Sequence, residues 1–351
     1  MASLGERWSK LFESISRGNP PSSAWLKVPD GHVLGVTGQA EPFQAGEHYF
    51  VVRIHQAHLA AARMWFSRYD PLLSMVTEFG YDGAVQREPF LVGPSTFKTD
   101  GHPTPAGMDF TDVRATDIRP YRGGPVNVTV ILYRNKVSDA IRQLLSIAER
   151  CVAVPGLSAA AGPYIQYAEA GLDALESVLG LDDTVPMLGV MHGFDPLDRF
   201  GPGWFVLCES GALEEDEIWV RGNRLYRGPD PGRLTAVDGA DFVLASLGQT
   251  RTRDNAEELA EFRRMWQPVM TYANLAGDES WSVAKALMAA LQLAVRQSPD
   301  LIPSQTDALI QHYLEVMKAL RREAMDRVML GAPQPAQPDP LLHSLAQTLA
   351  G

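Results

Sequence analysis

Between Tyr121 and Arg150 the chain alternates and then changes its period. Val126, Val128, Val130 and Leu132 are interleaved with Asn127, Thr129, Ile131 and Tyr133. A period of two predicts a strand with one face turned to a core. The turn Gly123-Gly124-Pro125 leads into it. Beyond it Ser138 stands at an N-cap position, and Ile141, Leu144, Leu145, Ala148 and Val152 recur at helical spacing.

Upstream the pattern is of strands and turns. Pro29-Asp30-Gly31 interrupts an apolar run as a hairpin does, and residues 48–55 are too apolar for an exposed edge strand. Residues 56–66 suit helix or strand equally. Residues 72–79 and 85–92 flank Gly80-Tyr81-Asp82-Gly83 and predict a hairpin, and the Gly, Pro, Thr and Ser of 93–107 predict a long loop. Downstream, Ile165, Ala168, Leu172, Leu175 and Leu179 predict another helix. Strands resume at 186–190 and 204–208, and Gly222-Asn223 joins 218–220 to 224–226 with the strongest hairpin signal in the chain. One more strand is expected at 241–247.

The end is helical. Asn255 with Glu258 spells a capping box, Asp278 opens a second helix, and Ser304 with Asp307 opens a third. The expected fold is therefore α+β. It comprises an antiparallel β-sandwich-like body over 24–250 with a helical insertion at 137–180, then a helical subdomain over 251–330.

Both ends carry short amphipathic patterns on proline-bearing tethers. Leu4, Trp8, Leu11, Phe12 and Ile15 share one helical face, and Pro20-Pro21 breaks that helix before residue 23. Residues 331–338 place proline among small and polar residues, an extended linker, and Leu341, Leu342, Leu345 and Leu349 then form a stripe. These faces are the expected partner-binding residues: Trp8, Leu11 and Phe12 at one end, the four leucines at the other. A membrane surface is a lesser alternative for residues 4–16, because their polar face mixes Glu6 and Glu13 with Arg7 and Lys10.

Composition narrows the function classes. Hydrophobic residues make up 45% and charged residues 21%, ordinary for a folded globular chain. The net charge of −11, with no basic stripe, argues against nucleic acid as a partner. The two cysteines, Cys151 and Cys208, are too few and too far apart for a disulfide framework. Glu6, Arg7 and Trp8 interrupt the apolar core of a signal peptide, so the cytoplasm is the expected compartment.

Candidate chemistry is sparse. His192 with Asp195 and Asp198 is the densest titratable group, in a pattern that suits a general base or equally a loop whose aspartates cap turns. His55 and His58 share a face only if helical, and as metal ligands they lack a third partner in sequence. His102 with Asp109 and Asp112 forms a similar acidic group in the expected long loop. The chain has no Walker loop, no Gly-x-Ser-x-Gly, no His-Glu-x-x-His and no Gly-x-Gly-x-x-Gly, and nothing calls for a cofactor. The sequence points first to a non-catalytic cytoplasmic interaction or adaptor protein with protein partners. The alternatives are a hydrolase, metal-dependent or not, using His192, Asp195 and Asp198, and a membrane-acting effector released by proteolysis.

Overall fold

The computed structural model describes residues 22–35, 41–60, 63–64, 67–92, 101–103, 107–136 and 184–333. The helix expected at 4–16, the helical insertion at 137–180, Cys151, and the terminal stripe at 341–349 lie outside the described residues. Sixteen strands and three α-helices are described. In chain order the first eight strands are β1 Ser23–Lys27, β2 Val33–Leu34, β3 Tyr49–His58, β4 Arg63–Met64, β5 Ser67–Tyr81, β6 Ala84–Val92, β7 Gly101–Pro103 and β8 Gly107–Arg114. There follow β9 Arg119–Pro120, β10 Val126–Lys136, β11 Thr184–Phe194, β12 Gly203–Glu209, β13 Ile218–Arg221, β14 Arg224–Arg227, β15 Thr235–Ala236 and β16 Phe242–Thr250. The helices are α1 Ala260–Ala273, α2 Asp278–Gln297 and α3 Pro303–Met329.

The chain divides into two compact units, one of residues 1–45, 50–155 and 159–250, the other of 46–49, 156–158 and 251–351. The first unit is β-rich. A seven-stranded sheet runs β1-β12-β16-β3-β8-β7 with β9 beside β3. A five-stranded sheet runs β11-β10-β5-β4 with β6 beside β5, and a small sheet runs β15-β14-β13-β2. Among the described residues the strand ladders include one short parallel pairing, of β2 with β13, and are otherwise antiparallel.

The alternation in β10 does what its period requires. Val126, Val128, Val130 and Leu132 enter a core shared with Leu73 and Met75 of β5 and, from the seven-stranded sheet, Phe205, Leu207, Val243 and Ala245. Two sheets thus meet face to face as a sandwich. The opposite parity of β12 and β16 is also buried: Val206, Cys208, Phe242 and Leu244 pack with Ile218, Val220 and Leu225 of the small sheet. The seven-stranded sheet is therefore covered on both faces. Cys208 is a free, fully buried thiol, and burial pushes its pKa up to about 11.

Turn chemistry fixes two hairpins. Asp82 and Gly83 both take positive φ between β5 and β6, and Gly222 and Asn223 do so between β13 and β14. That is the backbone twist a two-residue hairpin needs, which glycine and a short polar residue tolerate. The segment expected to be one long loop instead contributes β7 and β8, because the edge of β3 supplies ladder bonds that a Gly- and Pro-rich composition does not advertise.

A buried ion pair ties the two sheets. Arg119 of β9 reaches Glu88 of β6 with Nε at 2.6 Å and Nη2 at 2.5 Å from Oε1. Its guanidinium also lies 5.6 Å over the Tyr81 ring. Burial pushes the Glu88 carboxyl above the usual carboxylate range, while Arg119 and a backbone hydrogen bond at Asp117 pull against that rise. Such a pair adds little when whole but leaves a bare charge when broken.

The second unit holds the three helices, whose core includes Phe262, Val269, Leu287, Leu291, Ile310 and Tyr313. The capping box at Asn255 does not form. A 3-10 turn occupies Ala256–Glu258, the Asn255 side chain accepts from Arg253 Nε at 2.8 Å, and α1 begins later with Leu259 as its N-cap. Asp278 is the first residue of α2 rather than its cap, and its carboxylate accepts from Arg321 Nη2 at 3.1 Å. Arg321 and Arg327 of α3 also donate to the carbonyls of Leu275 and Asn274, pinning the α1–α2 connection to α3.

Arg119→Met leaves Glu88 buried without its counter-charge. Urea unfolding should show a loss of about 3–5 kcal/mol; a loss under about 1 kcal/mol would show that the pair does not tie the sheets.

Candidate functional site

His192 does not sit in a loop. It is carried on β11, where Val128 of β10 is its register partner, and its ring turns toward the sandwich core. The ring stacks on Trp25 with centroids 5.3 Å apart and meets Phe194 edge-on at 4.8 Å. Phe205 lies 5.5 Å from the Trp25 ring and completes an aromatic corner where β1 meets β11. Burial lowers the His192 pKa, and no carboxylate contributes to the shift.

The two aspartates of the motif are occupied elsewhere. Asp195 Oδ1 accepts from the Leu197 backbone N–H at 2.8 Å and caps the 3-10 turn Pro196–Asp198. Its charge also helps raise the pKa of the Tyr121 hydroxyl, although burial is the larger cause. Asp198 is exposed, and among the described residues no hydrogen bond joins His192 to either carboxylate. The structure brings together a histidine and three aromatic rings, not a histidine and two acids.

His55 and His58 belong to a strand, not a helix, yet both face the small sheet. The ladder between β3 and β8 shifts register between Ile54 and Gln56, which breaks the alternation. His55, Gln56 and His58 consequently all find partners on that side. His55 Nε2 lies 2.8 Å from Ser246 Oγ beneath the Trp204 ring, whose centroid is 4.1 Å away. Gln56 Oε1 accepts from Leu225 N at 2.6 Å, and His58 stacks on Phe242 with Nε2 3.2 Å from the Asp238 carbonyl.

The His55–Ser246 pair was invisible in the sequence, because 191 residues separate its members. A histidine within hydrogen-bond reach of a serine hydroxyl is the starting geometry of nucleophilic catalysis. Here both residues are buried, and what the contact does is satisfy two polar groups between β3 and β16. His102 and Asp109 are register partners on β7 and β8, and Gln56 of β3 is the next partner of Asp109. Among the described residues no group of three or more His, Cys, Asp or Glu side chains is placed to hold a metal ion.

Among the described residues large apolar side chains are exposed at several places, including two segments. Met325, Val328, Met329 and Leu330 stand at the C-terminal end of α3, the last two 84% and 83% exposed. Val185, Met191 and Leu197 stand on and just after β11. None of the described helices is long and apolar enough to cross a membrane, which says nothing of strands. The chain matches no protein-family model, no curated protein and no solved structure.

The His192 shift has a defined sign. With its folded pKa below the ordinary 6.5, the folded protein binds fewer protons than the unfolded chain in the window beneath that value. Stability therefore rises with pH through the window and is lost as pH falls toward the depressed folded value. His192→Phe keeps a ring against Trp25 and removes the titration, so thermal melts across pH 4–7 should show a flatter dependence than the native chain; parallel profiles would show that His192 contributes none of it.

Proposed function

We propose that the chain is a non-catalytic cytoplasmic interaction protein, an adaptor that holds protein partners through its β-rich body and the apolar segments at its two ends. The observation that carries this reading is the apolar end of α3. Four consecutive-turn side chains, Met325, Val328, Met329 and Leu330, are offered to solvent by a helix whose other turns bury theirs. Exposed clusters of this kind mark interaction sites on soluble proteins. The chain then runs through Pro333, Pro335, Pro338 and Pro340 to the leucine stripe at 341, 342, 345 and 349. Proline cannot continue a helix, and a proline-rich sequence is an extended spacer.

Leucines at this spacing suit a partner's groove, read as anchors on successive helical turns. Burying each contributes roughly 1.5–3 kcal/mol. A helix this short is not stable alone in water, so the stripe needs a surface to form on. The counterpart at the other end is Trp8, Leu11 and Phe12. The net charge of −11 favours protein partners over nucleic acid.

Affinity capture with the full chain, and with residues 1–21 and 331–351 deleted separately and together, tests the reading. Partner recovery should fall with each deletion and vanish with both; recovery unchanged by the double deletion removes the basis for the proposal. Leu345→Asp should leave the melting temperature of the isolated chain where it is while abolishing capture. A clear drop in melting temperature with capture intact would place the stripe on the chain's own body.

A further inference from the structure

We infer that the outer face of the five-stranded sheet is the seat of residues 137–183, held there by the two apolar stripes in their sequence. Alternation gives β5, β6 and β10 two faces. Leu73 and Met75, Phe90, and Val130 and Leu132 enter the sandwich core. Their neighbours point the other way, and on all three strands these pass from buried to open. On β10, Tyr133 and Ile131 are buried while Thr129 and Asn127 are half-buried. On β5, Leu72, Ser74 and Val76 are buried while Glu78 is half-buried. On β6, Leu91 and Pro89 are buried while Arg87 and Val85 are exposed. Register sets the buried groups side by side, Ile131 opposite Ser74 and Ser74 opposite Leu91.

The buried half is covered by something apolar. Leu72, Val76, Leu91 and Ile131 belong to none of the cores that the described residues form among themselves. Yet the most exposed of them, Val76, shows only 3%. Ser74 Oγ and Tyr133 Oη are buried on the same half, with no hydrogen-bond partner among the described residues. A loop laid over them would bring amides and carbonyls within reach. A helix keeps its backbone bonded within itself and presents side chains alone.

The path of the chain names the occupant. Neighbouring antiparallel strands need only a few residues to join them, whereas residues 137–183 stand between β10 and β11. The chain leaves the sheet after Lys136 and rejoins it at Thr184, opposite Asn135. That is the buried end of the face: Tyr133 lies just before the exit, and Met191, toward the other end, is 73% exposed. The stripes supply a matching surface, Ile141, Leu144, Leu145, Ala148 and Val152 on one, Ile165, Ala168, Leu172, Leu175 and Leu179 on the other. Both stripes fall in the β-rich unit. Three strands at about 4.8 Å spacing present roughly 15 Å of sheet, more than one helix about 10 Å across can cover. The stripes at the two chain ends offer one short helix each. The body keeps this face for itself, so partners dock elsewhere.

Photo-cross-linking in the full chain tests the placement. A benzoylphenylalanine at position 133, and separately at position 76, should join peptides from 138–152 or 165–179, as read by mass spectrometry. Cross-links to 1–21, to 93–100, to 334–351 or to a second copy overturn the inference, and so does a folded chain that forms none. Hydroxyl-radical footprinting leaves the sheet unsubstituted. Tyr133 should be protected in the native chain and labelled several-fold faster in the double variant Leu144→Asp, Leu172→Asp. Labelling of Tyr133 at the native rate in that variant equally overturns the inference, and the cross-links decide the matter even where the variant fails to fold.

Discussion

A sheet buried on both faces has nowhere to put a polar group except against another polar group. The seven-stranded sheet shows this constraint in its packing. Its inner parity, Phe205, Leu207, Val243 and Ala245, meets the five-stranded sheet, and its outer parity, Val206, Cys208, Phe242 and Leu244, meets the small one. Several polar side chains that lie in it come matched. His55 meets Ser246, Gln56 meets the Leu225 amide, and Arg119 meets Glu88. The packing of His55 and His58 is explained by covering a sheet before it is explained by chemistry.

That constraint also shapes the surroundings of the histidines. His192 and His55 each lie against a tryptophan ring, and among the described residues no metal-holding group of His, Cys, Asp or Glu is found. An imidazole in such company behaves as an aromatic filler with a polar rim. The aspartates nearest to His192 in sequence serve their own turn, as Asp195 shows by capping Leu197. Among the described residues the large exposed apolar side chains include Met325, Val328, Met329 and Leu330 at the end of α3 and Met191 on β11.

Much of the fold was legible because short-range rules decide it. The period of two in Val126 to Tyr133 fixed β10, and Asp82-Gly83 and Gly222-Asn223 fixed their hairpins through positive φ. Long-range pairing was not legible. β7 and β8 arise in a stretch whose glycines and prolines read as loop, because their stability lies in what they pair with. The same holds for His55 and Ser246, joined only when β3 and β16 lie side by side. Local signals also failed where other side-chain partners outbid them. Asn255 turns to Arg253, and Asp278 turns to Arg321, so neither caps its helix as the spacing suggested.

The placement of Cys208 gives the molecule an internal gauge. Its thiol sits between the central and small sheets at zero exposure, with a pKa near 11, so neither access nor ionisation favours reaction while the strands are closed. A thiol-directed reagent meets that sulfur only when β12 parts from its cover. The speed with which Cys208 is modified therefore tracks how often the middle of the β-rich unit breathes open, a local equilibrium that melting of the whole chain averages away.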